Sequence, residues 1–240
     1  NPPNPILSGL VGSEMCIRDR VNMILSQAGL KTWKLYESVP DSHDLREELY
    51  QHMDTVSSKN ISTNMVLPID QHFNVKGVGL VAIGYVQSGT VNKHDEVVIL
   101  PANETGVVRS LQVMDDDVDS AVAGDRVGVA LRNLREESLH RGCMIIHPES
   151  QALIRHDNSK IKIKTAPFQK RKLTNEDVIH AAVDLQFVVG RIKRVDGDLI
   201  SVEWENPLWI RAEGSPEILI TQLDAMPMRI IGSVETIEQA

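Results

Sequence analysis

The chain has 240 residues, a formal net charge of −8, 42% apolar, 24% charged and only 4% aromatic residues. That composition supplies one large core or two ordinary ones and excludes a disordered chain. The acidity excludes a sequence-wide electrostatic grip on nucleic acid, and the scarcity of rings argues against a stacking platform for single strands. No apolar run approaches the roughly 20 residues that span a bilayer. Two cysteines, Cys16 and Cys143, offer no disulfide framework, which suits a reducing cytoplasm. A cytoplasmic protein with neither membrane nor DNA as partner is expected.

Residues 1–20 read NPPNPILSGLVGSEMCIRDR. No basic residue precedes the short apolar stretch and no small-residue cleavage site follows it, so this is a poor signal peptide. The string from Val11 to Arg20 resembles translated sequencing-adaptor read-through, and 1–20 is expected to be an artefact or a disordered tail. From Val21 to Val56 the pattern is helical, and Leu45, Leu49, Tyr50 and Met53 recur at three- and four-residue spacing. Asp41–Met53 is expected as one amphipathic helix, capped by Asp41 or Ser42. The polar stretch Ser57–Asn64 reads as a linker.

Beyond Thr63 the period changes to two, with turn residues at intervals of roughly eight to twelve, as in sandwiches and barrels. Strands are expected at Met65–Ile69, Val78–Val86, Glu96–Leu100, Thr105–Met114, Arg126–Leu131 and Cys143–His147. Pro148 marks a boundary. Next come Ala181–Val195 and Leu199–Ile210, a long hairpin around Asp196-Gly197, then Ile218–Leu223 and Met228–Ile237. The expected fold is mainly β, with two consecutive small β-barrels at 63–148 and 149–240 behind a short α-helical segment at 21–62.

From Asn64 to Ile145 the landmarks come in a fixed order. They are Pro68-Ile69, the glycine-spaced strand Gly77 to Gly84, the Ser88-Gly89-Thr90 turn, Asp95-Glu96-Val97, Ala123-Gly124-Asp125-Arg126-Val127-Gly128, and the REE-x-x-x-RG element from Arg135 to Gly142. This stretch resembles the second domain of the elongation factor Tu superfamily along its whole length. Asn206 to Glu238, with Arg229-Ile230-Ile231-Gly232, resembles the end of that superfamily's third domain. The layout is closer to the selenocysteine-specific factor and the initiation-factor-two gamma branch than to the housekeeping factor. The resemblance makes 21–62 the end of a GTPase domain plus linker, with Val21–Leu25 apolar like its last strand.

The family's GTP and magnesium sit on a phosphate loop, GxxxxGK[ST], and no such string occurs here. Asn92-Lys93-His94-Asp95 matches the guanine-reading NKxD formally, but it falls within the barrel pattern. The chain as it stands is therefore expected to hold no nucleotide and to be no enzyme. In the family the second domain helps hold the aminoacyl end of tRNA. The resemblance gives the terminal-adenosine contact to Glu137 and a neighbouring role to Arg141, while His140 departs from the acid common there. Carboxylate and guanidinium suit sugar hydroxyl, base amine and phosphate. The ribosome is the other partner implied.

Lys160, Lys162, Lys164, Lys170, Arg171 and Lys172 form the one sustained basic run. The first three alternate with Ile161 and Ile163, so they share a strand face as an RNA-facing patch unopposed by acids, or as edge-strand lysines. Asp115, Asp116, Asp117 and Asp119 lack the glycine and distal glutamate of a calcium loop. His140, Cys143 and His147 have loosely metal-like spacing without a fourth ligand, so no metal is expected. Two functions compete: the back end of a translational GTPase, or a stand-alone protein- or RNA-binding adaptor whose GTPase domain has decayed. The coding sequence upstream of Val21 separates them.

Overall fold

The computed structural model describes residues 17–26, 34–36, 38–55, 63–166, 169–214, 217–226 and 228–240. The chain divides into two units, residues 1–57 with 166–168, and residues 58–165 with 169–240.

In the first unit, residues 17–26 are helical. The strand expected at Val21–Leu25 is therefore helix. Ile17, Val21, Ile24 and Leu25 recur at the three- and four-residue spacing of a helical face, which decides the matter. The remainder of the 1–20 segment lies outside the described residues, as does most of the Ser57–Asn64 linker. A second helix spans Ser42–Thr55. Asp41, not Ser42, caps it: its Oδ1 accepts the His43 amide at 2.8 Å and its carbonyl accepts the Leu45 amide at 3.0 Å. Glu48 accepts from Lys34 Nζ at 2.6 Å and from the Tyr36 hydroxyl at 2.8 Å.

The second unit holds both barrels. The first is built from β1 (Val66–Val75), β2 (Gly79–Tyr85), β3 (Thr90–Asn92), β4 (Glu96–Leu100), β5 (Glu104–Val113), β6 (Asp116–Val118), β7 (Ser120–Val122), β8 (Arg126–Arg132) and β9 (Met144–Ile146). Its ring runs β4-β9-β1-β2-β8-β5 and closes where β4 pairs with β5. The second comprises β10 (Leu153–Thr165), β11 (Val178–Val183), β12 (Gln186–Asp196), β13 (Leu199–Arg211), β14 (Leu219–Thr221) and β15 (Ile230–Gln239). It closes as β10-β13-β12-β11-β14-β15, with β15 returning to β10.

Period-two alternation builds each interior. Leu67, Ile99 and Ile145, paired across β1, β4 and β9, point into the first core. Their neighbours Val66, Leu100, Met144 and Ile146 point outward, yet they are buried too, in a second apolar cluster with Ala152, Leu153 and Trp209. The second barrel covers this face of the first. That is why MVLPI, VVIL and CMII read as unbroken apolar runs and not as alternating ones. Gly84 lets β2 cross close to β1, since a Cβ there would lie 2.2 Å from the Pro68 carbonyl oxygen.

The arm expected as Ala181–Val195 is in fact two strands. It reverses at Asp184 (φ 44°) and Leu185 (φ 65°), between Val183 and Gln186. Asp184 is a turn residue but Leu185 is not, so the pair carries only a weak sequence signal beside Asp196-Gly197.

Candidate RNA-facing site

A 3-10 turn, Glu136–Ser138, carries the first candidate residue. Ser138 and Leu139 are buried and fix its floor. The Glu104 carboxylate below it accepts from the Ser138 hydroxyl and from Arg135, whose Nε lies 2.6 Å away. The Glu136 carboxylate accepts from Asn74 Nδ2 on β1. With both ends of the turn tied down, Glu137 is exposed and makes no hydrogen bond or ion pair among the described residues.

Arg141 places its Nε 3.1 Å from Asp70 Oδ1. Asp70 sits where the β1–β2 register slips between Ile69 and Gln71, and the bulge turns its carboxylate outward. The Gly142 amide donates to the Ile69 carbonyl at 2.8 Å, and His140 Nδ1 lies 3.0 Å from the Arg141 carbonyl. The REE and RG ends of this loop are thus both fastened to β1, at Asn74 and Asp70. Glu137 and Arg141 are both exposed on this loop.

Phe73 and Val75 flank Asn74 and line a groove of about 820 Å³ on the outside of the same barrel. Val81, Ile83 and Ala130 make an apolar floor, and Arg109, Arg126 and Arg132 stand around it. Gly128 leaves the floor open, because a Cβ there would meet nothing nearer than Gln112 at 3.9 Å. The sequence reading missed this groove. Its signal is in RVGVALR, where Val127, Val129 and Leu131 face the core and Arg126, Gly128, Ala130 and Arg132 form the opposite face.

The basic run divides into two groups. Lys160, Lys162 and Lys164 are exposed on one face of β10. Lys160 and Lys162 are not edge lysines, since β10 pairs there with β13 on one side and β15 on the other, whereas Lys164 lies past the end of the β13 pairing. Nor are Lys160 and Lys162 unopposed: Glu238 is paired across from Lys160, and Glu235 lies 3.4 Å from Lys162. A single sequence shows no acids near them because β15 is distant along the chain. Lys170, Arg171 and Lys172 line a separate cavity of about 530 Å³ floored by Ile163, Ile200 and Ile231. Arg171 is shared between Asp177 at 3.6 Å and Asp224 at 3.9 Å. Gln169 fastens the start of that segment, donating to the Met228 carbonyl at 3.0 Å and the Ile230 carbonyl at 2.8 Å.

Asn92–Asp95 forms a turn between β3 and β4, with His94 at φ 75°. Asp95 Oδ2 accepts the Asn92 amide at 2.7 Å and so closes its own turn. His140 is exposed, Cys143 is fully buried with its thiol pushed up to about 11 by desolvation, and His147 pairs with Asp95. Among the described residues no group of three or more His, Cys, Asp or Glu is arranged to hold a metal ion. No helix among them is long and apolar enough to cross a membrane.

Residues 79–146 match the family model of elongation factor Tu domain 2. The selenocysteine-specific elongation factor of Methanocaldococcus jannaschii is 31% identical over 75% of this chain and 39% of its own length. An uncharacterized protein of the same organism is 28% identical over 79% of this chain and 59% of its own. The chain therefore spans roughly two fifths to three fifths of these relatives. Among solved structures, apo translation elongation factor SelB from Methanococcus maripaludis superposes with a TM-score of 0.70 at 28% identity, covering 82% of this chain and 46% of that one. A bacterial selenocysteine-specific elongation factor shares the fold at a TM-score of 0.68 and 22% identity. With the second-domain match lying inside the first barrel and the structural likeness running through both, the chain has an elongation factor Tu domain 2 barrel followed by a second barrel in the domain 2 and domain 3 arrangement of the selenocysteine-specific elongation factors.

Proposed function

We propose that this barrel pair holds the acceptor end of an aminoacyl-tRNA, as part of a translational GTPase akin to the selenocysteine-specific factors. The observation that carries the reading is Glu137, exposed and unpaired on a turn anchored at both ends. A carboxylate held out in this way has no internal partner to give up and accepts from a ribose hydroxyl or an adenine amine. Arg141, 69% exposed beyond its Asp70 contact, retains donors for a phosphate. The apolar-floored groove beside β1, lined by Arg109, Arg126 and Arg132 together with Asp115 and Asp117, offers room for the group such an end carries.

The experiment is binding of a tRNA acceptor minihelix, with and without its terminal adenosine. Glu137→Ala should erase the preference for the intact end, a local hydrogen bond worth about 1–3 kcal/mol, and leave the salt dependence unchanged. Equal affinity for both minihelices in the parent chain would rule the reading out. Absence of any RNA binding at low salt, with the fold intact, would favour a protein-binding adaptor.

A further inference from the structure

The REE-x-x-x-RG loop is held from below by its own barrel, but its last residue is held from outside. Gly142 has φ +87°, a conformation that L side chains rarely adopt. A Cβ there would lie 2.8 Å from the Leu185 carbonyl oxygen and 3.1 Å from Gln186 Cα, both on the second barrel. The turn that reaches Gly142 is the unusual Asp184-Leu185 reversal, two consecutive left-handed residues, neither of them glycine. Such a turn persists only where its surroundings over-determine it.

Those surroundings are present. Arg211 Nε donates to Asp184 Oδ2 at 2.8 Å, with the two side chains only 16% and 6% exposed. The Gln186 side-chain amide copies a strand pairing: its Nε2 donates to the Trp209 carbonyl at 2.7 Å and its Oε1 accepts the Trp209 amide at 3.0 Å. A buried ion pair and a doubly satisfied amide hold a strained turn in contact with the residue next to Arg141.

We infer that the Asp184-Leu185 turn, locked by Arg211, is a strut by which the second barrel positions Arg141 on the first. Arg211 is thus a positioning residue that acts through Gly142 and touches no RNA itself. The inference rests on the proposed RNA-holding role for its consequence, but its geometry can be tested without RNA.

Two readouts on the full chain test it. In the absence of RNA, the chemical shift of the Arg141 Nε–H, whose nitrogen lies 3.1 Å from Asp70 Oδ1, is followed by NMR. Arg211→Met keeps the apolar stem and removes the charge, and Arg211→Lys keeps the charge. The strut requires the resonance to move in Arg211→Met and to return to its parent position in Arg211→Lys. In the presence of an acceptor minihelix, Arg211→Met should weaken binding by the same factor as Arg141→Ala, and the double variant should be no weaker than Arg141→Ala alone. An Arg141 resonance unmoved by Arg211→Met, in a chain whose circular dichroism is unchanged, overturns the strut. So do losses that multiply in the double variant. If the parent binds no minihelix, the RNA-holding role fails by itself and the resonance still decides the coupling.

Discussion

His147 Nε2 lies 3.0 Å from Asp95 Oδ2, the same oxygen that accepts the Asn92 amide at 2.7 Å. One carboxylate thereby clamps the β3–β4 turn to the end of β9. The formal guanine-reading motif of the sequence is in this way committed to structure. Asp95→Ala should lower the stability of the unit by about 1–2 kcal/mol, read as a shift in urea midpoint, and change nothing in nucleotide binding. Saturable GTP binding by the parent that vanishes in this variant would contradict the assignment.

Two glycines in neighbouring strands should respond oppositely to the same added methyl. Gly84→Ala drives a Cβ to within 2.2 Å of the Pro68 carbonyl, so β1 and β2 must separate; a loss of about 2 kcal/mol or more is expected. Gly128→Ala meets only ordinary contacts and should stay within about 1 kcal/mol of the parent. Gly128→Leu should fill the groove and weaken binding of a charged minihelix, with little thermal cost. Equal destabilisation by both alanine changes would mean that Gly128 is a packing glycine.

The two halves of the basic run should differ in their electrostatic weight. Each phosphate contact adds roughly 0.7–0.9 to the slope of log K against log salt. Lys160 and Lys162 already face Glu238 and Glu235, whereas Lys170 and Lys172 have no ion pair among the described residues. Reversing Lys170 and Lys172 to Glu should therefore flatten the slope more than reversing Lys160 and Lys162. Titration of RNA binding across a salt series gives the ranking, and the reverse order would place the RNA along β10.

The second barrel should also weaken in acid through one buried imidazole. His156 Nδ1 lies 3.2 Å from Ser159 Oγ, which accepts Trp204 Nε1 at 2.9 Å. Burial lowers the pKa of His156 below its ordinary 6.5. The unfolded chain then binds this proton at a higher pH than the folded one. The stabilisation is complete above about pH 6.5, is lost as pH falls below that value, and levels off once pH passes the lowered folded pKa. The difference in urea midpoint between parent and His156→Gln should shrink over that window. A difference independent of pH between 7.5 and 5 would remove His156 from the account.

How legible was all this in the chain? The barrels were, because alternation and turn glycines report which face of a strand is inside, whereas Arg135 to Gly142 was located through its resemblance to the REE-x-x-x-RG element of the family. What escaped was set by partners distant in sequence. Glu235 and Glu238 oppose the β10 lysines only once the second barrel closes. The Asp184-Leu185 turn places a leucine at positive φ, with Arg211 fixing Asp184 and the bare Gly142 leaving room for it. The arginine-ringed groove went unread for a different reason. Alternation was used to find the core, and the outward half of RVGVALR was left as surface.

The outer face formed by Val66, Leu100, Met144 and Ile146 has a bearing on how the protein is made. Synthesis proceeds from the amino terminus, so the first barrel emerges with that face bare while β13 and its Trp209 are still to be translated. At roughly 5–20 residues per second the interval lasts several seconds. For that time a nascent chain displays a contiguous apolar patch of the kind that recruits chaperones or neighbouring nascent chains.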